Sequence, residues 1–204
     1  TLFRNNFFFY NITMIQAVQR EIMNYDVVIV GAGPAGLSTA IKLKHLNPDV
    51  SICILEKGAE VGSHILSGNV FETRALDELI PDWQEKKAPI KTKVTKEIFL
   101  FLLKNSSIYW PTWLLPSVQK NHKNYIISLG NLCRWLGEQA EAVGVEIFPG
   151  FPASKILYHK DGSVKGVQTG DMGIDKEGNK KDNFEPGIEL HAKVTVFAEG
   201  CRGH

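Results

Sequence analysis

The chain has 204 residues, 44% of them hydrophobic and 22% charged, and a formal net charge of +1 at pH 7. This length and apolar content allow one sizeable buried core. The nearly balanced charge gives no electrostatic reason to expect a nucleic-acid partner. No apolar run reaches the roughly 18 residues that a membrane-spanning helix needs.

The cysteines exclude two classes of small stabilised domain. Cys53, Cys133 and Cys201 are far apart in the sequence and form no C-x-x-C pair. We therefore expect neither a disulfide framework nor a zinc site, assign no metal ligands, and favour a reducing compartment.

The first two dozen residues differ from the rest. They contain the aromatic run 7–10, do not begin with methionine, and hold no acidic residue before Glu21. A mitochondrial presequence is one interpretation, but only two arginines supply positive charge. We favour translated upstream sequence with Met14 or Met23 as the natural start. Residues 1–24 are accordingly predicted to be an unstructured leader, and residues 25–204 the domain.

A glycine-spaced turn follows the first predicted strand. The strand covers Val27–Val30, whose uninterrupted β-branched side chains indicate burial on both faces of a parallel sheet. Gly31, Gly33 and Gly36 then match G-x-G-x-x-G. In this motif the first glycine permits a tight turn, the second lets a pyrophosphate approach the backbone, and the third lets helix pack on strand.

The turn leads into a helix predicted over Pro34–Leu46. Proline is tolerated at the first helical position because its missing N–H would have no partner there. The free N–H groups around Ala35 and Gly36, aided by the helix dipole, would face the phosphates. A second buried strand, predicted over Val50–Leu55, ends at Glu56.

Glu56 makes the turn a dinucleotide site. It lies at the distance along the chain where a carboxylate meets the adenosine ribose hydroxyls. A carboxylate there disfavours NADP, whose 2′-phosphate it would repel. NAD and FAD both remain open on these residues alone.

An excursion from 57 to 128 separates the second strand from the third. A short helix is predicted over Thr73–Ile80, with Thr73 as its cap and Pro81 as its stop. A strand-like apolar run covers Ile98–Leu103. The aromatic segment Tyr109–Leu115 would be costly to expose, so it either packs on its own domain, lines a pocket, or contacts a membrane or partner.

The α/β pattern resumes near Ser128. A helical face begins at Leu129 and ends at Gly144, a predicted C-cap. The later predicted elements are a third parallel strand (Val145–Phe148), a hairpin (Lys155–Tyr158 and Val164–Gln168), an exposed loop (Asp171–Gly187), and strands at Ile188–Leu190 and Val194–Phe197.

This order of elements resembles the FAD domain of the glutathione-reductase-like flavoproteins. The fold class is therefore α/β: an FAD/NAD(P)-binding domain with a parallel sheet, crossover helices and a β-meander, incomplete at its C-terminus. In those proteins the strand after the meander ends in an Ala-Thr-Gly-like tripeptide. Ala198-Glu199-Gly200 occupies that position, with glutamate in place of threonine.

Longer phrases carry a more particular resemblance, spanning loops as well as the nucleotide motif. From 25 to 204 the chain is similar to the electron transfer flavoprotein–ubiquinone oxidoreductase family. The phrases are Leu66-Ser-Gly68, Pro81-Asp-Trp83, Asn124-Tyr-Ile-Ile-Ser-Leu-Gly-Asn-Leu132, Gly137-Glu-Gln-Ala-Glu141, Gly170-Asp-Met-Gly-Ile174, Glu189-Leu-His-Ala-Lys193 and Phe197-Ala-Glu-Gly-Cys-Arg-Gly-His204.

This resemblance implies an FAD enzyme that accepts electrons from reduced electron transfer flavoprotein and reduces ubiquinone to ubiquinol. A 4Fe-4S cluster is expected in the full-length family, but its cysteine ligands are absent from this chain. The resemblance also implies peripheral attachment to the cytoplasmic face of a bacterial inner membrane or the matrix side of the mitochondrial one. An N-terminal fragment, inactive by itself, is the expectation. A related flavoprotein reductase and a non-catalytic nucleotide-binding module are the alternatives.

The same resemblance implies roles for particular residues. The glycine turn (Gly31, Gly33, Pro34, Ala35 and Gly36) would bind the pyrophosphate, Glu56 and Lys57 the ribose, and Ser67, Gly68, Glu199 and Gly200 the rest of the cofactor. No catalytic residue is assigned. His64 is considered and set aside, because electron transfer requires no proton donor there. Segments 61–82 and 109–115 are the candidates for membrane contact.

Overall fold

The structure is a computed structural model that describes residues 19–201. Its strands are β1 (Ile22–Val30), β2 (Ile52–Glu56), β3 (Ser67–Phe71), β4 (Thr92–Lys93), β5 (Phe99–Leu102), β6 (Ser107–Trp110), β7 (Tyr125–Ser128), β8 (Glu146–Pro149), β9 (Ala153–Tyr158), β10 (Val164–Thr169), β11 (Met172–Ile174), β12 (Lys180–Glu185) and β13 (Glu189–Phe197). Its α-helices are α1 (Pro34–Leu46), α2 (Arg74–Leu79) and α3 (Leu129–Ala142).

A six-stranded mixed sheet forms the centre, in the order β8-β2-β1-β13-β10-β9. Strands β8, β2, β1 and β13 run parallel to one another, whereas β10 pairs antiparallel with β13 and β9 antiparallel with β10. The predicted third parallel strand and the predicted hairpin are both confirmed. The strands predicted at 188–190 and 194–197 are one continuous strand, because β13 pairs with β1 along most of its length.

Apolar side chains fill both faces of this sheet. One face packs against α1 and α3 through residues such as Ile29, Ile54 and Leu136. The other buries Val28, Cys53 and their neighbours. Burial on both faces explains why β1 and β2 have continuous rather than alternating apolar sequences.

The excursion folds into two small sheets. Strands β3, β7 and β4 form one antiparallel sheet, and β5 pairs with β6 in a separate hairpin. Thr73 is the N-cap residue of α2, but its hydroxyl donates to the Asp77 carboxylate at 2.9 Å and makes no cap to the backbone. Thr73 thus occupies the predicted cap position, but its side chain does not form the capping hydrogen bond.

The segment from Asp171 to Gly187 is not the predicted open loop. Strands β11 and β12 pair there as an antiparallel hairpin. The Asp171 carboxylate closes the base of the hairpin by accepting the Gly187 N–H at 2.7 Å. A segment rich in glycine and charged residues can form either an exposed loop or an exposed two-stranded hairpin. Its composition alone did not distinguish the two.

Part of the predicted leader belongs to the sheet. β1 begins at Ile22, and Arg20 pairs with Asp171 and donates to the Gly187 carbonyl at 2.9 Å. The remainder of the leader, residues 1–18, lies outside the described residues. Within the described range, no helix is both long and apolar enough to cross a membrane.

Candidate functional site

The ends of three neighbouring strands bring the predicted site residues together. The Gly31 N–H donates to the Leu55 carbonyl, and the Ala198 N–H donates to the Val30 carbonyl, each at 2.8 Å. These bonds align the carboxyl ends of β2, β1 and β13. In open α/β sheets ligands bind at this edge.

The three motif glycines have different surroundings. A Cβ on Gly36 would lie 2.1 Å from the Gly31 carbonyl oxygen, and one on Gly31 would lie 2.6 Å from the Ala198 carbonyl oxygen. Gly31 also has a φ of +105°, which L side chains rarely adopt. A Cβ on Gly33 would meet no protein atom within 4 Å. Gly31 and Gly36 are thus required because neighbouring backbone atoms leave no room for a side chain. Gly33 has no such neighbour, and its backbone is open to the cavity.

The N-terminus of α1 faces the same edge without a protein cap. Gly33 is the N-cap residue, Pro34 occupies the first turn, and no side chain caps the helix or places a carboxylate in that turn. Helix N-termini leave backbone N–H groups without intrahelical acceptors, and phosphates bind well there.

Glu56 joins the turn to the end of β2. One carboxylate oxygen accepts the Ala32 N–H at 2.9 Å, and the other accepts the Gly58 N–H at 2.7 Å. A carboxylate has about four lone-pair positions, so each oxygen can still accept a ribose hydroxyl. Glu56 therefore orders the turn and presents acceptors beside it.

One cavity of about 590 Å³ collects most of the predicted residues. This volume lies in the usual range of cofactor sites. Gly36 lies beneath the turn. The lining comprises Val30, Gly31, Gly33, Pro34, Ala35, Leu55, Glu56, Lys57, His64, Ile65, Pro152, Ala153, Phe197, Ala198, Glu199 and Gly200.

Ser67 and Gly68 do not line this cavity. They border a separate cavity of about 390 Å³ together with Lys91 and Asn131. β3 begins at Ser67 and pairs with β7, so both residues belong to the small antiparallel sheet rather than to the central one. Eight of the eleven predicted residues thus line one cavity, Gly36 packs against the Gly31 carbonyl beneath it, and Ser67 and Gly68 lie at another cavity.

Several lining residues have no signal in the sequence. Pro152 and Ala153 reach the cavity because the Phe151 N–H donates to the Glu56 carbonyl at 3.0 Å. Phe197, 46% exposed, is the last residue of β13 and lines the edge. The strand ending before Ala198-Glu199-Gly200 was the one available hint for Phe197.

None of the three cysteines lines this cavity; Cys53 and Cys133 are buried, and Cys201 is exposed just after Gly200. Burial raises the pKa of Cys133 to about 11 and that of Cys53 still further, so both thiols stay protonated at neutral pH. Cys53 is fully buried in β2, in line with an inert core thiol. Among residues 19–201, no three His, Cys, Asp or Glu side chains are grouped so as to hold a metal ion.

Comparison with solved structures defines the class of fold. A geranylgeranyl bacteriochlorophyll reductase-like protein from Thermoplasma acidophilum matches 87% of this chain and 39% of its own, with a TM-score of 0.61 and 20% identity. The FAD-dependent halogenase CndH matches 90% of this chain and 38% of its own, with a TM-score of 0.60 and 16% identity. The fold is thus the mixed α/β fold with a parallel sheet that these two proteins share.

Sequence comparison gives a closer relationship. The Thi4 family profile matches residues 12–78. Two electron transfer flavoprotein–ubiquinone oxidoreductases match far more of the chain. The protein of Pseudomonas aeruginosa is 55% identical over 92% of this chain and 35% of its own. The mitochondrial protein of Dictyostelium discoideum is 57% identical over 90% of this chain and 30% of its own. The mitochondrial protein of Mus musculus is 55% identical over 92% of this chain and 31% of its own.

The chain is therefore a homologue of the electron transfer flavoprotein–ubiquinone oxidoreductases, and the resemblance predicted from its phrases is confirmed. It spans about a third of the length of the relatives it matches.

Proposed function

We propose that this chain forms the FAD-binding part of an oxidoreductase that takes electrons from reduced electron transfer flavoprotein and passes them to ubiquinone. The observation that carries the proposal is the cavity at the shared edge of β2, β1 and β13. There the open backbone at Gly33, the uncapped start of α1 and the Glu56 carboxylate line one space. The electron donor and acceptor in this proposal come from the names of homologues that are 55–57% identical to the chain.

The residues present fit FAD. The pyrophosphate would lie against the Gly33 backbone and the first turn of α1, where the helix dipole favours negative charge. Glu56 would accept the ribose hydroxyls, and Lys57 would lie nearby. Glu199 and Gly200 would bound the cofactor from β13. FAD, when bound, supplies the redox chemistry, and the chain's own residues hold and orient it.

The first test is the visible spectrum of the purified 204-residue chain. Flavin bands, with release of FAD into solution on heating, would support the proposal. A folded but colourless protein that does not take up added FAD would contradict it. Titration with NAD under the same conditions separates the other dinucleotide from FAD.

The electron donor and acceptor need a longer protein. Residues 25–204 of this chain can replace the homologous region of the Pseudomonas aeruginosa relative, since the two are 55% identical. We expect the chimera to reduce a short-chain ubiquinone when supplied with reduced electron transfer flavoprotein. A chimera that retains FAD but lacks this activity would argue for a related reductase instead.

Peripheral membrane contact belongs to the same proposal. We define the apolar hairpin as residues 98–118, which include β5 and β6. Its most exposed side chains are Leu102 (79%), Trp113 (74%) and Val118 (89%). Several strongly exposed apolar side chains on one segment support an interaction site there.

The pairing of the strands groups the aromatic side chains of the hairpin. Phe99 lies opposite Trp110, and Phe101 opposite Ile108, so these four side chains share one face of the hairpin. The ring of Phe101 contacts those of Phe99 and Trp110 edge to face, with centroids 5.4 and 5.7 Å apart. This aromatic face is partly exposed, a pattern that suits the interface of a bilayer. Of the two predicted membrane segments, the aromatic one thus has the stronger support.

A further inference from the structure

Lysines are concentrated in the segment of the sequence that contains the apolar hairpin. Residues 86–123 contain eight lysines and one acidic residue, Glu97, for a formal charge of +7. Because the whole chain carries +1, the remainder carries −6. So uneven a distribution needs an explanation that the cofactor site does not provide.

The lysines lie at both ends of the apolar surface. Lys96 precedes β5, and Lys104 lies in the turn between β5 and β6. Lys120 and Lys123 follow the hairpin, and the Lys120 ammonium donates to the Trp113 carbonyl at 3.4 Å. The entrance and exit of the hairpin are joined where the Asn121 N–H donates to the Glu97 carboxylate at 2.9 Å. Lysines thus border an exposed apolar face on two sides.

These charges are largely uncompensated. Glu97 accepts the Asn121 N–H, and Lys86 pairs with Asp82 at 3.1 Å. Across residues 19–201, Lys96, Lys104 and Lys123 have no carboxylate within ion-pair distance, and all three are exposed. Their ammonium groups are available to an external anion.

We propose that the apolar hairpin docks on an anionic phospholipid surface, with Lys96, Lys104 and Lys123 binding headgroup phosphates. This inference rests on the membrane contact proposed above and adds the chemical class of lipid. A four-residue strand spans about 13 Å. A hairpin of that length lying along the interface would place its rings among the upper acyl chains and its two ends at headgroup level.

The arrangement favours a bilayer over an acidic protein. Lysine has a long apolar stem, so its ammonium can remain among headgroups while neighbouring side chains enter the hydrocarbon. An anionic bilayer offers negative charge and an apolar layer at adjacent depths, which matches lysines beside exposed Leu102, Trp110 and Trp113. An acidic protein surface would satisfy the lysines and leave the apolar side chains without a match.

The test compares binding of the 204-residue chain to two kinds of vesicle, one of phosphatidylcholine alone and one containing phosphatidylglycerol. Each lysine near an anionic surface contributes roughly a fivefold gain in partition coefficient. The triple variant Lys96→Gln, Lys104→Gln, Lys123→Gln should therefore bind anionic vesicles on the order of 100-fold more weakly. Its binding to neutral vesicles should be unchanged.

Two matched variants control for charge and for folding. The first control is the triple variant Lys160→Gln, Lys176→Gln, Lys181→Gln. It loses the same positive charge at exposed positions outside residues 86–123, and this protein should bind vesicles like the parent. The second control is the triple variant Lys96→Arg, Lys104→Arg, Lys123→Arg. It should bind anionic vesicles like the parent, because arginine keeps the positive charge. Thermal unfolding, measured for every variant, separates loss of binding from loss of fold.

Four outcomes decide the matter. Preference for anionic vesicles that is lost in the triple glutamine variant, and weakened by raising the salt concentration, supports the inference. Equal binding to neutral and anionic vesicles overturns it and leaves the proposed membrane contact standing. Binding to neither vesicle overturns both. Lysine-dependent binding to polyglutamate without binding to vesicles overturns it in favour of an acidic protein partner.

Discussion

The Glu56 carboxylate accepts the backbone N–H of Ala32 at 2.9 Å, and so joins the end of the second parallel strand to the middle of the glycine turn. Its second oxygen accepts the Gly58 N–H at 2.7 Å. One side chain therefore fixes the turn and the loop after β2, while facing the cavity that we assign to FAD.

Replacing Glu56 by glutamine should weaken both the turn and cofactor binding. An amide has one acceptor oxygen, so either the Ala32 or the Gly58 N–H loses its partner, at a cost of about 1–3 kcal/mol in the free energy of unfolding. FAD affinity should fall at least tenfold. The control is Glu60→Gln, an exposed residue of the same loop. Equal FAD affinity in the parent and the Glu56 variant would contradict the ribose role.

Two glycine substitutions should separate folding from binding. Gly36→Ala places a methyl group against the Gly31 carbonyl and should destabilise the protein by about 3 kcal/mol or prevent folding. Gly33→Ala meets no protein atom and has a φ of −80°, which alanine adopts freely. Its stability without FAD should fall by no more than about 1 kcal/mol, the cost of a poorer N-cap residue.

FAD titration completes this comparison. The Gly33 methyl group would occupy the space proposed for the pyrophosphate, so FAD affinity should fall by tenfold or more. Should Gly33→Ala bind FAD normally, the pyrophosphate lies elsewhere.

The apolar hairpin should be needed for vesicle binding but not for FAD binding. Replacing Trp110 and Trp113 by serine removes two exposed rings and should reduce flotation with vesicles. Because Trp110 contacts Phe101, the single variant Trp113→Ser provides the comparison that leaves the aromatic cluster intact. Unchanged flotation of the double variant would exclude the aromatic run from membrane contact.

A chain that starts at Met14 should be more stable than one that starts at Met23. A chain starting at Met14 retains Arg20, which pairs with Asp171 and donates to the Gly187 carbonyl. One starting at Met23 loses these bonds and the first residue of β1. We expect its thermal midpoint to be roughly 2–4 °C lower or more, the shift that about 1 kcal/mol produces at this size. Equal midpoints for the two chains would contradict this.

The Arg20–Asp171 pair should also give a pH signature. Hydrogen bonding to the Arg20 guanidinium is the largest cause holding the pKa of Asp171 at about 2. A lowered carboxyl pKa stabilises the fold above the ordinary pKa, and this stabilisation is lost as pH falls toward 2. The stability difference between the parent and Arg20→Gln should therefore shrink between about pH 5 and pH 2. A difference independent of pH would assign the effect to the Gly187 carbonyl alone.

The local patterns of the sequence predicted the elements that carry their own signal. Continuous β-branched residues indicated β1, glycine spacing indicated the turn, and Asp161-Gly162 indicated the hairpin of β9 and β10. Strands β11 and β12 were not predicted, because their polar, glycine-containing sequence gives no local strand signal. A contact between the two ends of the hairpin holds the strands together. That contact joins Asp171 and Gly187, 16 residues apart.

The sequence by itself determined the nucleotide motif, its order of strand, turn, helix and acid, and the homology that defines the family. Those features are local in the sequence or follow from its overall identity with the relatives. Only the tertiary structure decided that Pro152, Ala153 and Phe197 join the glycine turn around one cavity, whereas Ser67 and Gly68 border another. The physical reason is that parallel pairing aligns the carboxyl ends of strands distant in sequence, while β3 pairs with β7 in a separate sheet.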